Sequence, residues 1–130
     1  MKNILITGGS RGIGKEIVKI CHKNNFKIHF TYSNNLVAAK KLLGELSSEN
    51  ISFSQCNLNN YDDIKKLFTT IKEKFDFLDG LVNNAGISGG IVSIKDFSKK
   101  IIDEVFETNA KGLIHCCKES IPIMSKNNGA

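Results

Sequence analysis

The residues best suited to chemistry lie near the start of the chain, in a short glycine-rich segment. An apolar run at residues 4–6 enters Thr7-Gly8-Gly9-Ser10-Arg11-Gly12-Ile13-Gly14, and a helical pattern begins at Lys15. A buried strand, a glycine turn and a helix N-terminus form a phosphate-binding arrangement, because the first helical amides have no partner within the helix. Glycine also lets a ligand approach the main chain closely. The segment therefore predicts a phosphate site, with a ligand-free turn as the alternative.

Two nucleotide motifs compete for this segment. Residues 9–15 fit the first seven positions of a Walker A loop, but Glu16 stands where that motif needs Ser or Thr. Its carboxylate would repel a triphosphate. The glycines also depart from the usual dinucleotide pattern, since they are spaced G-x-x-x-G-x-G rather than G-x-G-x-x-G. The segment alone predicts a nucleotide ligand and does not select between the two classes.

The composition is that of one globular domain. The chain has 130 residues, 41% hydrophobic and 24% charged, which is enough for one core and too short for two ordinary domains. No apolar run approaches the length of a membrane span, and the first residues do not resemble a secretion signal. The four cysteines form no C-x-x-C pair. We therefore expect a soluble cytoplasmic protein with reduced thiols.

The net charge of +5 does not indicate nucleic-acid binding. The lysines are dispersed from Lys2 to Lys126, Arg11 is the only arginine, and basic and aromatic residues do not interleave. A lysine-coated surface is the favoured interpretation. The three histidines and four cysteines show no metal-ligand spacing. We expect neither a nucleic-acid partner nor a metal.

Strand-like and helix-like segments alternate along the chain. The pattern predicts further strands at 26–32, 51–56 and 80–82, a helix capped by Ser33-Asn34-Asn35, and a helix over 61–75. A looser stretch at 87–95 precedes a long helix over about 97–124. We expect its inward side chains to be Ile101, Val105, Phe106, Leu113, Cys117 and Ile121. Such alternation predicts an α/β fold, a parallel sheet with helices on both faces.

The end of the second predicted strand bears on the choice of ligand. In this fold class ligands bind at the carboxyl ends of strands, and a carboxylate after the second strand marks NAD. Here no Asp or Glu occurs between Glu16 and Glu45. Ser33, Asn34 and Arg11 would instead meet a ribose 2′-phosphate, which guanidinium groups bind well. The sequence favours NADP(H) over NAD(H), and the alternative is that Arg11 only covers the turn from outside.

Two further motifs complete a pattern. Thr7-Gly8-x-x-x-Gly12-Ile13-Gly14, then Asn83-Asn84-Ala85-Gly86 after the fourth predicted strand, then a helical Asn109, resemble the N-terminal half of a short-chain dehydrogenase/reductase. The resemblance covers the whole chain and outweighs the Walker A interpretation. It implies a Rossmann-type doubly wound sheet with strand order 3-2-1-4. Residues 1–130 would form one dinucleotide-binding domain that stops before the family's fifth strand.

The resemblance also implies roles for single residues. The turn would hold the pyrophosphate and adenosine through Gly8, Ser10, Arg11, Gly12, Ile13 and Gly14. Asn57 would accept a hydrogen bond from the adenine amino group, and Leu58 would pack on the adenine. Asn83, Asn84, Ala85 and Gly86 would shape the floor beside the ribose. Asn109 matches a catalytic asparagine that supports a water linked to the catalytic lysine; the alternative is that it satisfies helix backbone around a kink.

The family's chemistry is hydride transfer between nicotinamide and a carbonyl or hydroxyl group, in homo-oligomeric enzymes. Its catalytic Ser, Tyr and Lys belong to a fifth strand and helix that the 130 residues do not match. Tyr61-x-x-x-Lys65 imitates the motif but directly follows the third strand, so we expect it to be non-catalytic. The turn is most similar to that of 3-oxoacyl-acyl-carrier-protein reductases, with sugar, steroid and pterin reductases still open. A non-catalytic binding or interaction module and a degenerate P-loop protein are the competing interpretations.

Overall fold

The computed structural model describes residues 1–124, so the last residues of the predicted domain lie outside the described part. Strands and helices alternate up to the fourth strand. The strands are β1 Asn3–Ile6, β2 Lys27–Tyr32, β3 Ile51–Gln55 and β4 Gly80–Val82. The helices between them are α1 Gly12–Lys23, α2 Leu36–Leu46 and α3 Tyr61–Lys74. After β4 come a 3-10 turn at Ile94–Asp96, α4 Lys99–Phe106, a π-helical segment at Glu107–Gly112, and α5 Leu113–Met124.

The four strands form one parallel sheet in the order β3-β2-β1-β4. Leu5 of β1 is the partner of His29 on one side and of Leu81 on the other. The predicted strand order and fold class are therefore confirmed. Because all four strands are parallel, the segments that follow them emerge at the same edge of the sheet.

Each face of the sheet carries its own apolar core. Alternate residues of a strand point to opposite faces, so Ile6 and Phe30 pack with Val18 of α1 and Leu42 of α2. The opposite face packs against α3 and α5, through Leu5, Phe68, Ile71 and Cys116 among others. Helices thus cover both faces, as the alternating pattern predicts. None of the helices within residues 1–124 is long and apolar enough to span a membrane.

Helix α1 begins at Gly12, three residues earlier than the apolar periodicity predicts. The apolar pattern cannot detect this start, because Gly12 and Gly14 carry no side chain. A Cβ on Gly14 would overlap the main-chain oxygen of Gly8. The first helical turn is therefore built into the glycine turn itself, at the edge of the sheet where the strands end.

The long C-terminal helix differs most from its prediction. It begins after Ser98, whose Oγ accepts a hydrogen bond from the Ile101 amide at 3.2 Å, and the π-helical segment interrupts it. The predicted inward face is wrong in part, since Phe106 and Ile121 are 64% and 62% exposed and Leu113 is also exposed. Ile101, Val105 and Cys117 are half-buried, whereas the buried positions are Thr108, Gly112, Cys116, Ser120 and Ile123.

Close packing explains the difference. A Cβ on Gly112 would overlap the carbonyl oxygen of Leu58, so only a small residue lets the helix approach the segment after β3. The buried face is thus made largely of small side chains. Ile123 is buried with them, whereas Phe106, Leu113 and Ile121 are exposed.

Candidate functional site

A cavity of about 580 Å³ opens where the four strands end. It is lined by segments that follow every strand of the sheet, as expected for a ligand site in an open parallel sheet. Of the predicted site residues, those that line it are Gly8, Ser10, Arg11, Gly12, Ile13, Gly14, Ser33, Asn34, Asn57, Leu58, Asn84, Ala85 and Gly86. Asn83 and Asn109 are not part of its wall.

The glycine turn presents free main-chain donors to this cavity. The amides of Gly12, Ile13 and Gly14 form the first turn of α1, and within residues 1–124 they have no hydrogen-bond acceptor. The Arg11 side chain does not cap them, and no acidic residue lies in that turn. Unpaired amides at a helix N-terminus attract anions.

The amides of Gly8 and Gly9 do not take part in this donor set. The Gly8 amide donates to Oγ1 of Thr31 at 3.1 Å, and the Gly9 amide donates to the Thr31 carbonyl oxygen at 2.8 Å. The sequence predicts that the main-chain amides along the whole turn, from residue 8 to residue 14, bind the anion. The structure corrects this, because the first two of these amides are already used to join the turn to β2.

The segment after β4 braces the turn from its other side. Nδ2 of Asn84 donates to the carbonyl oxygens of Thr7 and Gly8, at 3.0 Å each. In return, Oγ1 of Thr7 accepts hydrogen bonds from the amides of Asn84 and Ala85, at 3.1 Å each. A Cβ on Gly8, whose φ is +66°, would lie 2.9 Å from the Cα of Ala85. The two motifs are therefore one packed unit.

The charge of the cavity wall favours an anionic ligand. Arg11 lines the cavity, and within residues 1–124 its guanidinium makes no ion pair and no hydrogen bond. Ser33 and Asn34, which are exposed, line the same cavity. The described lining contains no carboxylate. A phosphate beside these residues would meet one free cation and no repelling charge.

The Walker A interpretation receives no support from the lysine it requires. Nζ of Lys15 pairs with Oε2 of Glu45 on α2 at 3.0 Å, and Lys15 is not part of the cavity wall. Glu16 in turn pairs with Lys19 at 2.9 Å on the exposed side of α1. Neither side chain is placed to act on a triphosphate or its magnesium ion.

The segment after β3 supplies an amide and an apolar side chain. Asn57 is exposed, while Leu58 is only 5% exposed and packs mainly in the core. Leu58 can therefore offer only a small surface to a ligand ring. Cys56 also lines the cavity, but burial raises the pKa of its thiol to about 12. It stays protonated at neutral pH and is unsuited to nucleophilic chemistry.

The side chains of Asn83 and Asn109 do not line the cavity and make other contacts. Nδ2 of Asn83 donates to Sγ of Cys117 at 3.3 Å, and its Oδ1 is buried without a partner in the described part of the chain. Oδ1 of Asn109 accepts from the Ile87 amide at 2.8 Å, and its Nδ2 donates to the Ile87 carbonyl oxygen at 2.7 Å. Asn109 thus ties the π-helical segment to the chain that follows β4.

Comparison with known proteins identifies the family. The model of the short chain dehydrogenase family matches residues 2–130. The chain belongs to this family. The 3-oxoacyl-[acyl-carrier-protein] reductase FabG of Staphylococcus aureus (strain Mu50 / ATCC 700699) is 30% identical over 125 residues, which are 95% of this chain and 50% of that protein.

Solved structures of other proteins share the fold. The structure of ElxO with NADP bound has a TM-score of 0.87 at 34% identity, and the match covers 99% of this chain and 52% of that one. A short chain dehydrogenase from Burkholderia cenocepacia J2315 in complex with NADP has a TM-score of 0.87 at 26% identity, covering 95% and 51%. The chain spans about half the length of the relatives it matches.

Tyr61 and Lys65, which have the spacing of the short-chain dehydrogenase Tyr-x-x-x-Lys motif, lie outside the cavity. The Tyr61 hydroxyl donates to Oε1 of Glu119 at 2.7 Å, and Nζ of Lys65 pairs with Oδ1 of Asp62 at 2.7 Å. The hydrogen bond to Asp62 raises the pKa of Lys65. Neither Tyr61 nor Lys65 lines the cavity: Tyr61 is half-buried against the core on one face of the sheet, and Lys65 is exposed on α3.

Sequence reasoning missed two threonines that line the cavity. Thr31 and Thr108 are 1% and 7% exposed, and both are polar side chains in buried positions. The available signal for Thr31 was a hydroxyl near the carboxyl end of a strand, where open parallel sheets bind ligands. Thr108 lies in the π-helical segment, next to Asn109.

Proposed function

We propose that the cavity binds NADP(H), and that residues 1–130 form a single dinucleotide-binding domain of a short-chain oxidoreductase. One observation carries this proposal. The free amides of Gly12–Gly14 lie in the same cavity wall as the Arg11 guanidinium, which makes no ion pair in the described part of the chain. Two diphosphate oxygens and a ribose 2′-phosphate need donors of this kind. The two relatives that hold NADP support the choice of cofactor.

Each segment of the wall has a task in this proposal. The first turn of α1 binds the pyrophosphate, while Arg11, Ser33 and Asn34 bind the 2′-phosphate. The Asn57 amide oxygen accepts a hydrogen bond from the adenine amino group, and Asn84, Ala85 and Gly86 form the floor beside the ribose. Leu58 contributes an edge to the adenine pocket. When bound, the nicotinamide supplies or accepts a hydride, and the protein holds it in place.

The substrate class proposed is a carbonyl or hydroxyl compound, with a 3-oxoacyl thioester as the specific case. The identity with the FabG reductase supports this choice. Asn109 holds Ile87 beside the cavity in the present structure, and we assign it the supporting role of the family's catalytic asparagine. Because the family's catalytic Ser, Tyr and Lys belong to a fifth strand and helix that the 130 residues do not match, we expect the chain by itself to be inactive. Cytoplasmic location is part of the same proposal.

Titration of the purified 130-residue chain tests the proposal. Amide chemical shifts in the turn are followed while NADPH, NADH or ATP with magnesium is added. We expect saturable shifts with NADPH, at least about tenfold weaker binding of NADH, and no response to magnesium ATP. Absence of saturable binding of NADPH at millimolar concentration would refute cofactor binding. Separately, oxidation of NADPH with a 3-oxoacyl thioester by this chain would refute the expected inactivity.

A further inference from the structure

The Gly8 amide is held by a side chain from a different strand. We infer that Thr31 is a positioning residue for the cofactor: its hydroxyl oxygen fixes the Gly8 peptide, and thereby keeps the free amides of Gly12–Gly14 directed at the anion. The inference rests on the proposed binding of NADP(H). It concerns a residue of β2 that is separate from the groups assigned to the ligand.

Two hydrogen bonds from one residue join β2 to the turn. Oγ1 of Thr31 accepts from the Gly8 amide at 3.1 Å, and the Thr31 carbonyl oxygen accepts from the Gly9 amide at 2.8 Å. Thr31 is 1% exposed, so its side chain acts on the turn and offers almost no surface to a ligand. Its effect on binding must therefore pass through Gly8.

The carbonyl groups on both sides of Gly8 are held as well. Nδ2 of Asn84 donates to the Thr7 carbonyl oxygen, which shares a peptide unit with the Gly8 amide, and to the Gly8 carbonyl oxygen, at 3.0 Å each. The Gly8 oxygen lies where a Cβ of Gly14 would be. Because the two peptide units share the Cα of Gly8, a change in the φ angle of Gly8 would move this oxygen relative to the first turn of α1. The orientation of Gly8 and the position of the free amides are coupled by direct contact.

Glycine cannot fix this orientation by itself. Gly8 has a φ of +66°, a region that glycine enters readily but in which it has no side chain to hold it. The orientation must come from hydrogen-bond partners. Thr31 supplies the partner on the amide side, and Asn84 supplies the partner on the carbonyl side.

Valine has nearly the shape of threonine but lacks the hydroxyl. In Thr31→Val the half-buried Gly8 amide would lose its acceptor, which favours a rotated peptide whose amide finds another acceptor. Ligand binding would then have to restore the original orientation, and affinity would fall. Thr31→Ser keeps the hydroxyl and removes only a methyl group, so it should preserve the bond.

The experiment compares Thr31→Val, Thr31→Ser and the unmodified 130-residue chain in NMR titrations with two ligands. NADPH uses both the pyrophosphate and the 2′-phosphate subsites, while adenosine 2′-monophosphate has no pyrophosphate. We expect Thr31→Val to bind NADPH about tenfold more weakly and adenosine 2′-monophosphate within about twofold of the unmodified chain. Thr31→Ser should bind both ligands within about twofold.

A matched control is Thr69→Val on α3. The Thr69 hydroxyl donates to the Lys65 carbonyl oxygen at 3.1 Å on an exposed helix face, away from the cavity. We expect this variant to bind both ligands as the unmodified chain does. Equal loss of NADPH affinity in the two threonine-to-valine variants would overturn the positioning role.

The remaining outcomes separate this inference from the proposed function. If Thr31→Val binds NADPH as tightly as the unmodified chain, or loses both ligands equally, the positioning role is refuted and NADPH binding stands. If the unmodified chain does not bind NADPH, the proposed function itself fails. Should Thr31→Val not fold, hydrogen exchange in the unmodified chain decides: the Gly8 amide should exchange at least about tenfold more slowly than the Gly12 amide, and equal rates would refute the role.

Discussion

Gly14 lies directly against the main-chain oxygen of Gly8, so that a Cβ on Gly14 would overlap this oxygen and Nδ2 of Asn84. Neither neighbour can withdraw easily, because the oxygen and Nδ2 are joined by a hydrogen bond of 3.0 Å. We expect Gly14→Ala to lower the free energy of unfolding by about 2 kcal/mol and to weaken NADPH binding more than tenfold. Urea denaturation and NADPH titration measure the two effects.

Gly44→Ala is the matched control for this substitution. Gly44 lies within α2, and a Cβ added there would have no heavy atom within 4 Å. Since alanine is the better helix former, the free energy of unfolding should rise by up to about 1 kcal/mol. NADPH affinity should not change. Similar stability of the two alanine variants would contradict the contact between Gly8 and Gly14.

Arg11 is the residue on which the choice between NADPH and NADH depends. Its guanidinium lines the cavity without an ion pair in the described part of the chain, and the 2′-phosphate occurs only in NADPH. We expect Arg11→Gln to weaken NADPH binding by roughly tenfold or more and to change NADH binding less than about twofold. Titrations with both cofactors at fixed ionic strength measure this, because exposed charges are screened by salt.

Lys15→Gln removes one positive charge from α1, the helix that Arg11 precedes, and serves as the control for Arg11→Gln. Lys15 pairs with Glu45 and does not line the cavity. Its loss should leave the ratio of NADPH to NADH affinity within about twofold of the unmodified chain, since its ammonium group is directed to α2. An equal drop in the ratio of NADPH to NADH affinity in Lys15→Gln and Arg11→Gln would mean that net charge, and not Arg11 itself, selects the cofactor.

Local signals explain why much of the fold could be predicted. Helix α3 begins at Tyr61 as the pattern predicts, and Oδ1 of Asn60 caps it by accepting from the Asp62 amide at 2.9 Å. Both the cap and the apolar spacing are local signals, because the residues that produce them lie close together in the sequence. The parallel sheet followed from the alternation of strands and helices, whereas its strand order followed from the family resemblance alone.

The site was predictable where it depends on strand ends and not where it depends on distant contacts. The segments after all four strands line the cavity because parallel strands end at one edge. The bond between Gly8 and Thr31 joins residues 23 apart in sequence, and that between Asn109 and Ile87 joins residues 22 apart. No local pattern reports such pairs, so the correction to the amide donors required the structure.

His29 predicts a loss of stability in mild acid. It is fully buried between two serines, with Nδ1 2.8 Å from Oγ of Ser52 and Nε2 2.8 Å from Oγ of Ser54. Burial first, and then the charge of Lys74, lower its pKa from 6.5 to about 4. Between these pH values the unfolded chain binds more protons than the folded one, so stability falls as the pH falls.

The full contribution of the neutral His29 is present above about pH 6.5 and is lost progressively towards pH 4. A change of this size amounts to roughly 3 kcal/mol in the free energy of unfolding. Urea denaturation between pH 7.5 and about pH 4 measures it. Carboxylates also titrate in this range, so the reference is His29→Gln, which lacks the titrating ring. Parallel curves for the two proteins would contradict the buried neutral state of His29.

The face of α5 provides the final prediction, because sequence and structure disagree there. Apolar periodicity places Ile121 inside, whereas the structure leaves Ile121 62% exposed and Ile123 2% exposed. Ile123 packs in the same core as Phe68 and Ile71. We expect Ile123→Ala to lower the free energy of unfolding by about 2 to 4 kcal/mol, and Ile121→Ala by less than about 0.5 kcal/mol.

The two isoleucines form a matched pair, since the same atoms are removed two residues apart on one helix. Urea denaturation of both variants at neutral pH and low protein concentration compares them without a contribution from self-association. The predicted order follows from the shift of the buried face to small residues such as Gly112 and Cys116; Gly112 lets the helix approach the segment after β3 closely. A larger effect at Ile121 than at Ile123 would restore the face that the apolar pattern predicts and would refute the packing of α5 described above.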